Sequence, residues 1–535
     1  MFKKGVLQLA LQAVTRVPLR AERQEQEALS ETFIDVGPVA SSLRRPDHQI
    51  MYGRRGTGKT HALLNLKGEL EADGVNVVYL DMRTAGSASG LYGSRNEGIA
   101  ERATPLLVDV IEEIHNSLLD LAIERGNEDL LEALSGLAAA STEIEVVGPV
   151  ELEHARQENN KGADEVAFKA GTAGGANLSY TVGMSQESAS EVRSKASGSF
   201  QFSLKFGPIA AALRRVVRRT PGRRLWILVD EWSATPLDLQ PLLADLFRRA
   251  LFPVGGITVK IAAIERRSEF SLKAGGGEGE YVGIELGSDA SQDISLDDYL
   301  VFTEEDGRAI EFFSNLFHRH CVAMYPELET SFPGSPEGVT NFIWAIWGNW
   351  VSFEELVRAA EGIPRDGINI AGLAAQRASP QTRYMENGIS VNDVRGAARA
   401  WFVRDKEGAI KADKIARRAL ANLVSFACAR RRRTFLVERG YDSHHRVIRS
   451  LYDARLVHIL RSAVGPGGQY DLFALDYGAY VNALSDHEAV KSWNEPWVQR
   501  WAAPDPVTSP EVRKAIFAID RLLAKPIDPP PSQAD

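Results

Sequence analysis

The 535-residue chain is poor in the features that mark secreted, membrane or metal-clustered proteins. It has two cysteines, Cys321 and Cys428, far apart and without partner spacing, which excludes a disulfide framework and a cysteine-based zinc site. No run of about eighteen apolar residues occurs, so no membrane-spanning helix is expected. The opening MFKKGVLQLALQAVTRVPLRAERQEQE lacks the unbroken apolar core and small-residue cleavage site of a secretory signal. It reads instead as an amphipathic helical arm over residues 1–30. The histidines, among them His318, His320, His444 and His445, have no carboxylate or cysteine partners at ligand spacing, which argues against a histidine-held metal site. Positive charge is in deficit overall, with a net charge of −9, so the surface is not uniformly basic although a local patch is still allowed. The expected compartment is the cytoplasm.

With 44% hydrophobic and 25% charged residues, the composition is that of a globular protein. At this length roughly three to four domains are expected.

The densest signal is His48-Gln-Ile-Met-Tyr-Gly-Arg-Arg-Gly-Thr-Gly-Lys-Thr60, a short apolar strand running into Gly53-Arg54-Arg55-Gly56-Thr57-Gly58-Lys59-Thr60. Glycines at these positions let backbone N–H groups turn inward around phosphate oxygens. Lys59 brings a cation to the β- and γ-phosphates, and the Thr60 hydroxyl can ligate magnesium. The following HALLNLKGELEADG has helical periodicity, so the positive end of a helix points at the phosphates. This is a nucleoside triphosphate loop, with ATP and Mg2+ as the expected ligands.

Further strands are predicted at Val75–Leu80, Leu225–Val229, Ile257–Ile264 and Tyr281–Leu286, with a helix over Leu237–Ala250. The strand at 225–229 delivers Asp230 and Glu231 at its C-terminal edge. Asp230 suits a magnesium ligand and Glu231 suits the base that orients or deprotonates water. Arg266 and Arg267 follow the next strand. They can sense a γ-phosphate in cis, reach a neighbouring subunit's nucleotide as arginine fingers, or lie as surface charges. Strands alternating with helices imply a largely parallel sheet, hence an α/β core over residues 31–300.

Through GRRGTGKT, LWILVDEW, VKIAAIERR and Glu361-Gly-Ile-Pro-Arg-Asp366, residues 30–380 resemble the AAA+ superfamily, and within it the origin-recognition-like and STAND-like ATPases. The resemblance implies a helical lid over 301–394 and makes Arg365, at the start of a lid helix, a second sensor of the nucleotide. Two features depart from it. The first-sensor position holds Glu265 or an arginine rather than a small polar residue. A β-patterned stretch, 142–206, is inserted between the second and third strands, with partner contact, subunit contact or disorder as its open roles.

Residues 395–465 carry 17 Lys/Arg against 6 Asp/Glu. The run Arg430, Arg431, Arg432, Arg433 ends one helix, a second follows over 443–455, and two strand-like runs flank AVGPGG. Helices followed by a hairpin make a C-terminal winged helix-turn-helix over 395–485, similar to that of origin-recognition-like ATPases. As a duplex-DNA reader it would use Arg430–Arg433 on phosphates, with Arg446 and Arg449 in the major groove. As a protein-docking module it would serve a STAND-like signalling switch that oligomerises on binding ATP. The first reading points to replication, mobile-element or defence biology. Residues 486–535 read as a helical extension anchored by Trp493, Trp497 and Trp501, with a disordered end.

Overall fold

A computed structural model describes residues 4–35, 37, 39–85, 99–142, 144–147, 177–180, 201–204, 206–273, 281–297, 307–378, 388–430, 432–440, 443–464, 466–485 and 515–524. The core that carries the glycine loop is a five-stranded sheet in the order Ser291–Ser295, Gln49–Tyr52, Ile257–Ala263, Leu225–Asp230, Asn76–Asp81. Every neighbouring pair is parallel. Three of these strands are buried at every position, which is why they read as mostly apolar runs rather than as alternation. One strand, Ile257–Ala263, separates the loop strand from the acid-bearing strand. Its exit at Glu265–Arg267 therefore lies between the two.

The fifth strand is not where the sequence pattern put it. Tyr281–Gly283 pairs antiparallel with Ser271–Lys273 in a separate ribbon. The sheet is completed by Ser291–Ser295, through pairs such as Met51 with Ile294. SQDIS is polar because it is an edge strand, so it lacks the apolar run that identifies a central one. The helix expected over 237–250 is shorter, Gln240–Leu246, and widens into a π-turn over Phe247–Leu251. Of the inserted stretch, Ile144–Val147, Asn177–Tyr180 and Gln201–Leu204 form an antiparallel sheet with the first strand central. The rest of it lies outside the described residues.

The helical unit is built from Arg308–Met324, Pro336–Trp347, Trp350–Ala360, Pro364–Ala378 and Val391–Trp401. Ser335 and Asn349 cap their helices by accepting from Gly338 and Ser352, and Ser390 with Asp393 forms a capping box. Phe317, Trp347 and Phe353 interlock at its centre, with Phe317–Trp347 and Trp347–Phe353 ring centroids 5.5 and 4.9 Å apart. The N-terminal helix Lys4–Arg16 buries Ala10, Ala13 and Val14 in this same core. The arm is thus part of the lid packing.

In the C-terminal module, Lys414–Ala429 is capped by Asp413. The helix Ser443–Asp453 and the hairpin Val457–Val464 with Tyr470–Leu475 follow. An additional strand, Thr434–Glu438, lies between the two helices and pairs with Tyr470–Leu475. Ala515–Phe517 joins its outer side through hydrogen bonds to Leu436. Trp493, Trp497 and Trp501 lie outside the described residues. The fold class is therefore α/β, with a parallel phosphate-loop sheet, a helical lid and a C-terminal winged helix. Among the described residues no helix is long and apolar enough to cross a membrane.

Candidate functional site

The loop leaves the sheet at Tyr52 and enters the helix Lys59–Ala72. Gly56 and Gly58 have φ of 88° and 99°, a region that costs side-chain-bearing residues about 1–2 kcal/mol each. Gly56 is further constrained by space, since a Cβ there would lie 2.8 Å from Cβ of Arg365. Arg365 also donates its backbone N–H to the Gly56 carbonyl at 3.3 Å, so the lid helix sits directly on the loop.

Lys59 is buried and donates to the carbonyls of Gly53 and Arg54 at 2.8 and 3.0 Å. Burial pulls its pKa below the usual lysine value, opposed by Asp230, Asp297 and Glu231. The Thr60 hydroxyl donates to Oδ2 of Asp230 at 2.6 Å, and Tyr79 donates to the same oxygen at 2.8 Å. Asp230 is fully buried. A hydroxyl and a carboxylate in contact beside a phosphate loop are the hard oxygen donors that magnesium takes, so these residues fit the ion. Glu231 has φ 52°, a left-handed conformation that is uncommon for a side-chain-bearing residue, and its N–H donates to Oδ1 of Asp230 at 2.8 Å. That turn sets the two adjacent acids apart. Asp230 is held inward on Thr60, and Glu231 lines the cavity.

The cavity has a volume of about 360 Å3 and is bounded by Arg55–Thr60, Glu231, Arg365 and the N-terminal segment around Arg20 and Glu22. Its cationic side is crowded. Arg365 is held below the usual arginine value by burial and then by Arg455 and Arg20, and Arg55 by burial and then by Arg267. Such a site favours a polyanion. Glu22 accepts from Arg83 at 3.4 Å, and Arg83 pairs with Asp81 at 2.5 Å.

Arg54 does not face the cavity, contrary to its assignment as a nucleotide contact. It is 3% exposed and spans three units of the fold. Its Nε pairs with Asp297 of the core at 2.8 Å, Nη2 donates to the Glu361 carbonyl of the lid at 2.9 Å, and Nη1 donates to Nδ1 of His458 in the winged helix. Its backbone N–H is taken by Asp297 at 3.0 Å. Because a guanidinium only donates, Nδ1 of His458 must accept. Nε2–H then faces Asp476 at 3.3 Å, and the ring is neutral. Burial, with Arg54 and Lys406 nearby, pushes the His458 pKa down to about 3. Sequence reasoning missed Tyr79, Asp297, Glu361 and His458. Asp297 follows the unrecognised edge strand, Glu361 opens the lid motif without a role assigned to it, and Tyr79 and His458 carry no local motif.

Of the two arginines after the central strand, Arg267 is ion-paired with Asp453 of the winged helix at 3.3 Å. The side chain of Arg266 lies outside the described residues. Burial raises the Asp453 pKa to about 6, against the pull of Arg267 and Arg55.

The arginines assigned to DNA divide. Arg433 is a correction: it is 5% exposed, ion-paired with Glu361 of the lid, and donates to the Leu475 carbonyl at 3.1 Å. The strand that begins at Thr434 draws it inward. Arg430 lies over the Phe426 ring at 4.9 Å and donates to the Thr434 carbonyl at 3.0 Å. Arg432 and Arg446 are exposed. Arg449 is half-buried and lines a groove of about 600 Å3 shared with Glu265 and Glu269 of the core. Arg431 is outside the described residues.

Comparison with protein-family models gives no match, and comparison with curated proteins gives none. Among solved structures the chain is similar to one of Drosophila ORC bound to DNA, at 11% identity and a TM-score of 0.30, covering 90% of this chain and 93% of that one. It is also similar to Cdc6p from Pyrobaculum aerophilum, at 12% identity and a TM-score of 0.27, over 90% and 97% of the two chains. A third is the Aeropyrum pernix Orc1 protein in complex with DNA, at 15% identity and a TM-score of 0.26, over 93% and 98%.

Proposed function

We propose that this chain is an AAA+-type ATPase that acts as a nucleotide-driven switch, with its winged helix as the moving part and duplex DNA as the partner. The observation that carries the ATPase reading is the contact of Thr60 with Asp230 at 2.6 Å, at the mouth of the glycine loop and beside Glu231. Magnesium held by Thr60 and Asp230 would supply charge neutralisation to the bound phosphates. Lys59, released from its two loop carbonyls, exchanges them for phosphate oxygens and keeps a full set of acceptors. Glu231 holds the attacking water and takes its proton. Arg365 follows the phosphates from the lid, and its backbone bond to Gly56 ties any movement of the loop to the lid helix.

Movement of the loop strains the winged helix through Arg54, whose guanidinium bridges Asp297, Glu361 and His458. A specific observation also favours the alternative, a STAND-like signalling ATPase that oligomerises and docks a protein. The far end of the helix Ser443–Asp453, the one assigned to the major groove, is engaged by the core through Asp453 and Arg267. The separating experiment measures ATP hydrolysis by the full-length protein with and without duplex DNA, together with its mass in solution with and without ATP. Salt-sensitive DNA binding that alters turnover supports the first reading. No DNA binding in either nucleotide state, with ATP-dependent assembly, supports the second.

A further inference from the structure

The pair His318-x-His320 divides between two roles. His318 is held within the lid, where Nε2 pairs with the Phe332 carbonyl at 2.8 Å. His320, two residues further along the helix Arg308–Met324, is 5% exposed and lines the nucleotide cavity. Among the described residues it makes no hydrogen bond; its neighbours are the surrounding apolar walls and the His61 ring, 6.4 Å away. Burial and His61 push its pKa down to about 3, so the ring is neutral and offers one N–H and one lone pair. His318 is committed to a backbone carbonyl, whereas the His320 ring borders the cavity without such a commitment.

The position of His320 supplies the reason. His61 directly follows Thr60 and keeps its own Nε2 on the Leu29 carbonyl at 2.8 Å. Its ring thus marks where the phosphate end of the cavity gives way to an apolar end walled by Phe33, Val39, Leu316 and Ile368. A flat base fits an apolar slot with one or two convergent polar groups. The unfilled imidazole is the polar group placed for it.

We infer that His320 reads the nucleobase, accepting a hydrogen bond from the exocyclic amino group of a 6-aminopurine. This rests on the nucleotide reading of the cavity and names the residue that selects the base. It also gives the lid a direct grip on the base, separate from the grip of Arg365 near the phosphates.

The test compares binding of ATP, of purine riboside triphosphate (which lacks the 6-amino group) and of inorganic tripolyphosphate to the full-length protein with magnesium. The wild-type chain is expected to prefer ATP over purine riboside triphosphate on the order of tenfold, the worth of one hydrogen bond. His320→Phe, which keeps an aromatic ring, and His320→Ala are expected to bind the two within about twofold of each other, with tripolyphosphate affinity unchanged. His320→Gln, whose amide oxygen can accept, should retain part of the preference. An undiminished preference in the Phe and Ala variants, or no preference in the wild type, overturns the assignment of His320. Loss of tripolyphosphate binding in the wild type, or its survival in Lys59→Ala, overturns instead the nucleotide reading beneath it.

Discussion

Arg267, at the exit of the central strand, is ion-paired with Asp453 of the winged helix at 3.3 Å. One of the two cations that the sequence offers to a γ-phosphate is therefore held by the C-terminal module. Freeing it requires that ion pair to break. Asp453→Ala is expected to raise ATP turnover severalfold, and Arg267→Ala to lower it by about tenfold or more. Mixing Arg267→Ala with Lys59→Ala then locates the action. Recovered turnover in mixed oligomers means that Arg267 acts in trans, and no recovery means that it acts in cis. Equal rates in Asp453→Ala and wild type would sever the link between the two domains.

The loop chemistry separates binding from hydrolysis. Lys59→Ala removes the buried cation of the loop and should abolish ATP binding in equilibrium titration. Glu231→Gln should bind ATP normally and slow hydrolysis on the order of 10²–10⁴, because only the base is lost. A wild-type rate in the second variant would reassign the catalytic base and leave Asp230 as a metal ligand alone.

Acid should undock the winged helix. His458 is neutral in the folded chain, with a pKa near 3 against an ordinary value of 6.5, so unfolding or undocking takes up a proton between those values. Its contribution is fully present above pH 6.5 and is lost as pH falls through that window. Protonation would also turn an N–H toward the Arg54 guanidinium, although Asp476 on the other side limits the cost. Asp453 acts in the opposite sense, since its raised pKa favours docking at low pH and loses that contribution as pH rises toward about 6. Its smaller shift makes His458 dominant. The thermal midpoint should drop on acidification from pH 7 to pH 4, and His458→Gln should flatten that drop. A variant with the full acid sensitivity would place the titrating group elsewhere.

The four consecutive arginines should not behave alike. Arg446→Ala is expected to alter sequence preference and Arg432→Ala to weaken binding to every duplex, both without loss of stability. The salt dependence should flatten by about one unit for each phosphate that is no longer neutralised. Arg433→Ala should instead destabilise the chain by about 3–5 kcal/mol, because it leaves Glu361 buried without its partner. Denaturant unfolding measures this directly. An Arg433→Ala chain of wild-type stability with reduced DNA affinity would return Arg433 to the DNA surface.

The phosphate-loop half of the chain was legible because the demands on it are local. Gly53 to Thr60 must follow one another to wrap a phosphate, and the strand Leu225–Asp230 must be apolar up to its terminal acid to cross a sheet covered on both faces. Those demands are written into consecutive residues, so loop, strand and acids could be placed by pattern alone. The edge strand Ser291–Ser295 escaped notice because an edge imposes no comparable demand. What only the tertiary structure decided is where each arginine goes. Arg54 and Arg55 are neighbours in one motif, yet Arg54 is buried against Asp297, Glu361 and His458 while Arg55 borders the cavity. Arg432 and Arg433 likewise differ only in the face of the chain they occupy as the strand at Thr434 begins. A guanidinium is stable either in water or against fixed acceptors, and acceptors contributed from more than 240 residues away, as Asp297 is for Arg54, leave no trace in the local pattern.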